Sequence, residues 1–227
     1  PSGLGPLIAQ VNDHGMSFGI WFEPEMINPN SRLYREHPEW VLGPLEQTQG
    51  RNQLVLDMAN ADVREYLFGK ISTILGNYNI SYIKWDHNRV LPFVDAEQTL
   101  GTYDLLSQLR TTHPDVEIET CSSGGGRIDF GIMKYTQRVW LSDSNDAAER
   151  LGMQYEASHF LPLSVTGSHV GQRECHTSGR IHDIGFRAWI AAQRHMGFEM
   201  DPRELTNAEQ AKLKQVTQWW KDNRDWR

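Results

Sequence analysis

Short apolar or β-rich runs alternate with longer stretches of helical spacing along the whole chain. Strands are predicted over residues 17–22, 53–56, 81–85, 116–120, 139–141, 161–166 and 197–200. Several of these are near-continuous apolar runs, the pattern of strands buried on both faces of a parallel sheet. Between residues 61 and 75, Val63, Leu67, Ile71 and Ile74/Leu75 form a stripe of helical spacing that can lie against a sheet. Thr206 and Glu209 read as a capping box, and Leu213, Val216 and Trp220 supply the apolar face of the helix behind it. Gly15, between a helical stretch and the first strand, suits the position just past a helix end.

Alternating β and α units at this spacing imply a closed barrel or a doubly wound sheet. The two differ in where polar residues collect, because a barrel presents them at the C-terminal ends of several different strands. That is the pattern here. Trp21 and Glu23 follow the first strand, and Asp86, Cys121 and Asp143 follow three later ones. No G-x-G-x-x-G follows a strand, which argues against a dinucleotide fold.

Composition narrows the classes of function. With 39% hydrophobic and 22% charged residues in 227, the chain can bury a sizeable core and is not a disordered one. A net charge of −7, with 22 Lys+Arg and no basic run, excludes a nucleic-acid partner. No apolar stretch reaches the roughly 20 residues that span a bilayer, and the N-terminus lacks a signal-peptide pattern, so no membrane partner is expected. Two cysteines, Cys121 and Cys175, make no disulfide framework, and a reducing, cytoplasmic compartment is expected. The chain begins without Met and ends on a charged segment, and reads as a piece of a longer one.

Four segments carry candidate chemistry. YIKWDHNR (residues 82–89) delivers Lys84, Asp86, Asn88 and Arg89 to one strand end, where cations would keep a carboxylate ionised and able to act as a nucleophile. The bland alternative is a structural charge cluster at a helix start. VWLSDSNDAAER (residues 139–150) offers Asp143 near a strand end and Asp146 where a helix would begin, as an N-cap. One carboxylate on each of two strands supplies the pair that glycoside cleavage needs; separations of roughly 5–5.5 Å retain configuration and about 6.5–9.5 Å invert it. ETCSSGGGRID (residues 119–129) lets backbone approach a ligand closely, but it lacks the Gly-Lys-Ser/Thr ending of a phosphate loop, and Cys121 has no assignable His partner. In IWFEPEMIN (residues 20–28), Trp21 could stack on the apolar face of a sugar. The nine His show no H-x-H or H-E-x-x-H spacing, so neither a metal nor another cofactor is expected.

Taken together, FGIWFEPEMINPNS (residues 18–31), HPEWVL (37–42), GRNQLVLDMAN (50–60), YIKWDHNR (82–89), CSSGGGRID (121–129), SDSNDAAERLGMQY (142–155) and GSHV (167–170) resemble the catalytic domain of glycoside hydrolase family 36, the bacterial α-galactosidases. The resemblance covers nearly the whole chain in the family's order. It implies a (β/α)8 TIM barrel truncated here so that its first two strands are lacking, with flanking N- and C-terminal β-sandwich domains outside this chain. It implies a retaining enzyme that takes small α-galactosides such as melibiose and raffinose, with Asp86 as nucleophile and Asp143 as acid/base. Trp21, Arg51, Lys84, Asn88, Cys121 and Gly124 would shape the galactose pocket, and Asp146 would support from behind. The family's Asp-Asp-Gly-Trp motif has no match in the chain. After GSHV, GQRECHTSGR (residues 171–180) resembles the raffinose-type branch more than the lactobacillus-type enzymes. A homo-oligomer is expected of the complete protein. Two other readings stay open: a non-catalytic carbohydrate-binding fragment, and a relative acting on α-N-acetylgalactosamine or transferring galactose.

Overall fold

The β/α alternation is realised in a computed structural model that describes residues 3–91, 93 and 95–226. The chain divides into two units, Pro1–Gln137 and Arg138–Arg227.

In the first unit, helix α1 (Gly5–Asp13) carries Pro6 in its first turn, and Gly15 follows its end at φ 70°, the left-handed turn expected past a helix terminus. Strand β1 (Phe18–Phe22), the short strand β2 (Met26–Ile27) and helix α2 (Arg32–Glu36) follow. Strand β3 (Leu54–Val55) pairs antiparallel with β2. Helix α3 (Ala61–Asn77), strand β4 (Ile80–Trp85), helix α4 (Ala96–Thr112) and strand β5 (Glu117–Thr120) complete the unit. Strands β1, β4 and β5 run parallel in the order β1-β4-β5. The stripe predicted for α3 is realised: Val63, Leu67, Ile71 and Leu75 are buried, and Ile74 packs against the core. Each such burial contributes about 1.5–3 kcal/mol. Asn60 and Asp95 cap α3 and α4 by accepting backbone N–H bonds, which explains where both helices begin.

The second unit holds strand β6 (Arg138–Val139), helix α5 (Ala147–Ala157), strand β7 (Gly167–Val170), helix α6 (Ile184–Ala191), strand β8 (His195–Phe198) and helix α7 (Asn207–Asn223). β7 and β8 are parallel, and Val139 bridges to Thr166. The capping box of α7 forms in both directions, with Leu213 and Val216 buried and Trp220 packed beside them.

Several expectations are corrected. The strand predicted over residues 161–166 begins only at Gly167, because Pro162, which has no N–H to give a ladder, opens a 3-10 turn over Leu163–Val165. The strand predicted over residues 197–200 lies earlier, at His195–Phe198. β1 is not buried on both faces: Gly19 and Trp21 are exposed while Phe18, Ile20 and Phe22 turn inward. Of the expected truncated (β/α)8 TIM barrel, the described residues show the α/β fold with parallel sheets and no closed barrel.

Candidate active site

The parallel register of the first unit brings three strand ends level. Trp21 stands opposite Lys84, Phe22 opposite Trp85, and Trp85 opposite Thr120. The ladder continues one residue further, with the Asp86 N–H donating to the Phe22 carbonyl (2.8 Å) and the Cys121 N–H to the Trp85 carbonyl (2.7 Å). Asp86, Cys121 and the β1 end therefore meet at the C-terminal edge of the sheet, where ligand sites of parallel sheets form.

Asp86 is 6% exposed and ringed by donors. Trp21 Nε1 (3.0 Å) and Asn88 Nδ2 (2.7 Å) donate to Oδ2, and the His87 amide (2.8 Å) donates to Oδ1. Burial works to raise this carboxyl, but hydrogen bonds from Asn88, Cys121, Trp21 and the His87 amide outweigh it and hold it below the ordinary Asp range. The result is an ionised carboxylate. The predicted cause is corrected: Arg89 turns away to the carbonyls of Gln53 and Thr48 and to Gln47, and Lys84 pairs with Glu119 at 3.5 Å.

Cys121 is buried, and burial pushes its thiol up to about 12 despite a Gly124 hydrogen bond and the Lys84 charge. It stays protonated at neutral pH, so it donates to Asp86 and does not act as a nucleophile. The loop after β5 is bent by Ser123 (φ 47°) and Gly124 (φ 83°), and the Gly124 carbonyl accepts from the Ser122 N–H at 3.0 Å. Trp21 is 49% exposed while tethered to Asp86 by its indole N–H, so its face is free for an apolar sugar surface. Arg51 makes no hydrogen bond or ion pair to Asp86 among the described residues. It lies with Asn52 in a two-residue turn closed by Gly50 and Gln53, both central residues at positive φ (53° and 59°) as a type I′ hairpin requires.

In the second unit Asp143 is exposed after β6, and Trp140 Nε1 donates to its Oδ1 at 2.9 Å. Asp146 has a different task. It caps α5 through the Ala148 and Glu149 amides and also receives Ser178 Oγ and Arg180 Nε. Burial opposes its ionisation, but Ser178, the two amides and Arg180 pull it down to about 2. A carboxyl so held cannot deliver a proton near neutral pH, so the geometry makes Asp146 an anchoring cap. Its ionised form favours the fold fully above the ordinary Asp value, and that contribution is lost as pH falls through about 2. Asp146→Ala is expected to destabilise the protein by about 1–2 kcal/mol, from the lost N-cap, and to loosen residues 178–180. Urea unfolding checks the first, and faster proteolysis within that loop the second; a loss below about 0.3 kcal/mol would contradict the anchoring role.

Two acids that the spacing did not single out as site residues complete the first unit's polar edge. Glu23 Oε1 accepts from the Asn88 amide N–H (3.1 Å) and side-chain Nδ2 (2.7 Å), and its Oε2 accepts from Gln53 Nε2 (3.1 Å). Glu25, 1% exposed, is gripped by both Arg127 guanidinium nitrogens (2.7 and 3.0 Å), Trp85 Nε1 (2.8 Å) and Thr102 Oγ1 (3.1 Å). Their only sequence signal was two acids, two residues apart, directly after a strand. Among the described residues no group of three or more His, Cys, Asp or Glu converges as a metal site would require.

Known proteins resemble this chain over nearly its whole length. The family model described as Melibiase matches residues 1–227. The α-galactosidase of Escherichia coli is 46% identical over 211 residues, 89% of this chain and 30% of that protein. The crystal structure of the family 36 α-galactosidase AgaA from Geobacillus stearothermophilus superposes with a TM-score of 0.93 at 38% identity, covering 99% of this chain and 33% of that one. A variant of the same enzyme in complex with raffinose gives a TM-score of 0.94 at 38% identity, with the same coverages of 99% and 33%. The chain thus spans about a third of the length of the curated relatives it matches.

Proposed function

This chain belongs to the melibiase family, and from that premise we propose that the protein carrying it is a retaining α-galactosidase. Terminal α-galactose would be cleaved from small α-galactosides such as melibiose and raffinose, the latter being the sugar bound by the Geobacillus variant. Asp86 attacks the anomeric carbon while Asp143, as general acid, protonates the departing glycosidic oxygen. The bond to the aglycone breaks and a β-galactosyl ester forms on Asp86. Asp143, now a carboxylate, takes a proton from water as that water attacks the same carbon. Two inversions release α-galactose and restore both carboxyls.

One observation carries the assignment of Asp86: its carboxylate sits at a strand end with donors arranged to keep it ionised. A nucleophilic carboxylate needs that state. Around it, Trp21 offers an exposed aromatic face, and Lys84, Asn88, Cys121 and Gly124 border the same edge. Arg51 reaches the sugar in this account only from its exposed hairpin. The same reading makes the chain part of a (β/α)8 barrel flanked by β-sandwich domains in a cytoplasmic homo-oligomer, which the threefold greater length of the relatives accommodates.

Product stereochemistry tests the mechanism. Proton NMR of raffinose hydrolysis in the protein carrying this chain is expected to show α-galactose first, with the β anomer growing in only by mutarotation. Initial β-galactose would replace double displacement by single inversion. Galactose binding without turnover would make the chain a binding module, and preference for an α-N-acetylgalactosaminide would reassign the substrate.

A further inference from the structure

The side chain of Asn88 poses a question of orientation. Its oxygen and nitrogen ends have the same shape but opposite hydrogen-bonding character, so its neighbours decide which end meets Asp86. With Nδ2 toward the carboxylate the contact is attractive; with Oδ1 it is repulsive. Both N–H bonds of Nδ2 are committed, one to Asp86 Oδ2 and one to Glu23 Oε1, each at 2.7 Å. The opposite end, Oδ1, accepts from Ser123 Oγ at 3.2 Å. Turning the amide over would set Oδ1 against two carboxylates, which can only accept, whereas the Ser123 hydroxyl can donate to one end or accept from the other. Glu23 in turn is fixed by the Asn88 backbone N–H and by Gln53 Nε2, and so ties the ends of β1 and β4 to the Gly50–Gln53 turn.

We propose that Glu23 and Ser123 are positioning residues for the Asn88 amide: Glu23 sets which end faces Asp86, and Ser123 steadies the other end. This rests on Asp86 being the nucleophile. Neither residue touches the reacting atoms; both act through Asn88. Ser123 is held at φ 47°, a left-handed conformation that strains the backbone of a non-glycine residue. The loop that carries Cys121 to Asp86 thus also carries the hydroxyl that steadies Asn88. The titratable and charged groups around Asp86 are Cys121 from the end of β5, Glu23 from the end of β1, His87 on its own segment and the Lys84–Glu119 pair of β4 and β5, with Glu25 and Arg127 beyond His87.

Three variants of the protein carrying this chain, read by pH profiles of kcat/KM on an aryl α-galactoside, test the positioning. The acid limb of that profile reports ionisation of the nucleophile in the free enzyme. Ser123→Ala keeps every charge and removes only the bond to Oδ1, so the limb is expected to move up by about half a pH unit. Glu23→Ala is expected to lower kcat by roughly 10-fold or more with little change in KM, the pattern of a lost transition-state interaction. Glu23→Gln still offers Asn88 an acceptor, and the Gln53 Oε1, buried and unpartnered, can receive the new amide when Gln53 turns over. It is therefore expected to recover most of the loss. If the Ser123→Ala limb overlays the parent's, or Glu23→Gln is as damaging as Glu23→Ala, the positioning is wrong. An Asp86→Gly control separates the two ideas. Turnover by that variant removes the nucleophile assignment itself, whereas an inactive control beside an unmoved Ser123→Ala limb removes only the positioning role.

Discussion

Asp86→Gly is expected to reduce hydrolysis of an aryl α-galactoside by on the order of 10⁴–10⁶-fold, the scale on which removal of a covalent nucleophile operates. Glycine leaves a space where the carboxylate stood, with Trp21 Nε1, Asn88 Nδ2 and the His87 amide still aimed into it. A small anion can fill that space. Azide should therefore restore part of the turnover and be captured as β-galactosyl azide, because it attacks from the side opposite the leaving aglycone. An Asp143 variant should instead lose most on substrates with poor leaving groups, which need the proton, and less on activated aryl glycosides. Were azide to give the inverted product from the Asp143 variant, the two roles would have to be exchanged. Full activity in Asp86→Gly would remove the mechanism altogether.

Glu25→Ala is expected to cost about 3–5 kcal/mol of stability, the range for stranding one partner of a buried ion pair. Glu25 is 1% exposed, and its removal leaves the guanidinium of Arg127 and the indole N–H of Trp85 without their acceptor, while the Thr102 hydroxyl keeps the Gln98 carbonyl. Replacing Glu25 and Arg127 together by Met should recover much of the loss, since no charge is then stranded. Urea unfolding of the two variants decides; a single variant costing under about 1 kcal/mol would contradict the stranded-charge account. Acid supplies a second signature. Burial would raise this carboxyl, but the charges of Arg127 and His87 and the hydrogen bonds from Arg127 and Trp85 bring it down to about 2. A depressed carboxyl stabilises the fold fully above its unfolded value near 4.5, and that contribution fades as pH falls toward about 2. The parent should thus lose stability through that window more steeply than Glu25→Gln, which has no charge to neutralise.

Elements written in local patterns were readable in the chain alone. Val63, Leu67, Ile71 and Leu75 repeat at helical spacing, and α3 forms there; Thr206 and Glu209 stand three apart, and α7 begins there with both capping bonds made. Asp146 was legible as an N-cap for the same reason, since a cap is a contact between near neighbours. Strand ends were less so: β7 begins one residue past the predicted run, because Pro162 and the 3-10 turn it opens outweigh the apolar pattern. The two-residue strands β2 and β3 are too short for any periodicity, and only their pairing with each other defines them.

Asp86 could be nominated from its residue type and place after a strand, and Asn88 and Cys121 through the family resemblance. What holds Asp86 ionised could not. Lys84 and Arg89 are its cationic neighbours in the chain, yet its donors are an indole 65 residues away, a side-chain amide two residues on and a thiol delivered by β5. Glu23 and Glu25 likewise show their roles only once β1, β4 and β5 lie side by side and level their ends. Helices, caps and candidate carboxylates follow from interactions within a few residues, which any chain of this order must make. The charge state of a carboxylate follows from which donors and cations surround it in space, and that is set by strand register and loop conformation, quantities that exist only in the folded molecule.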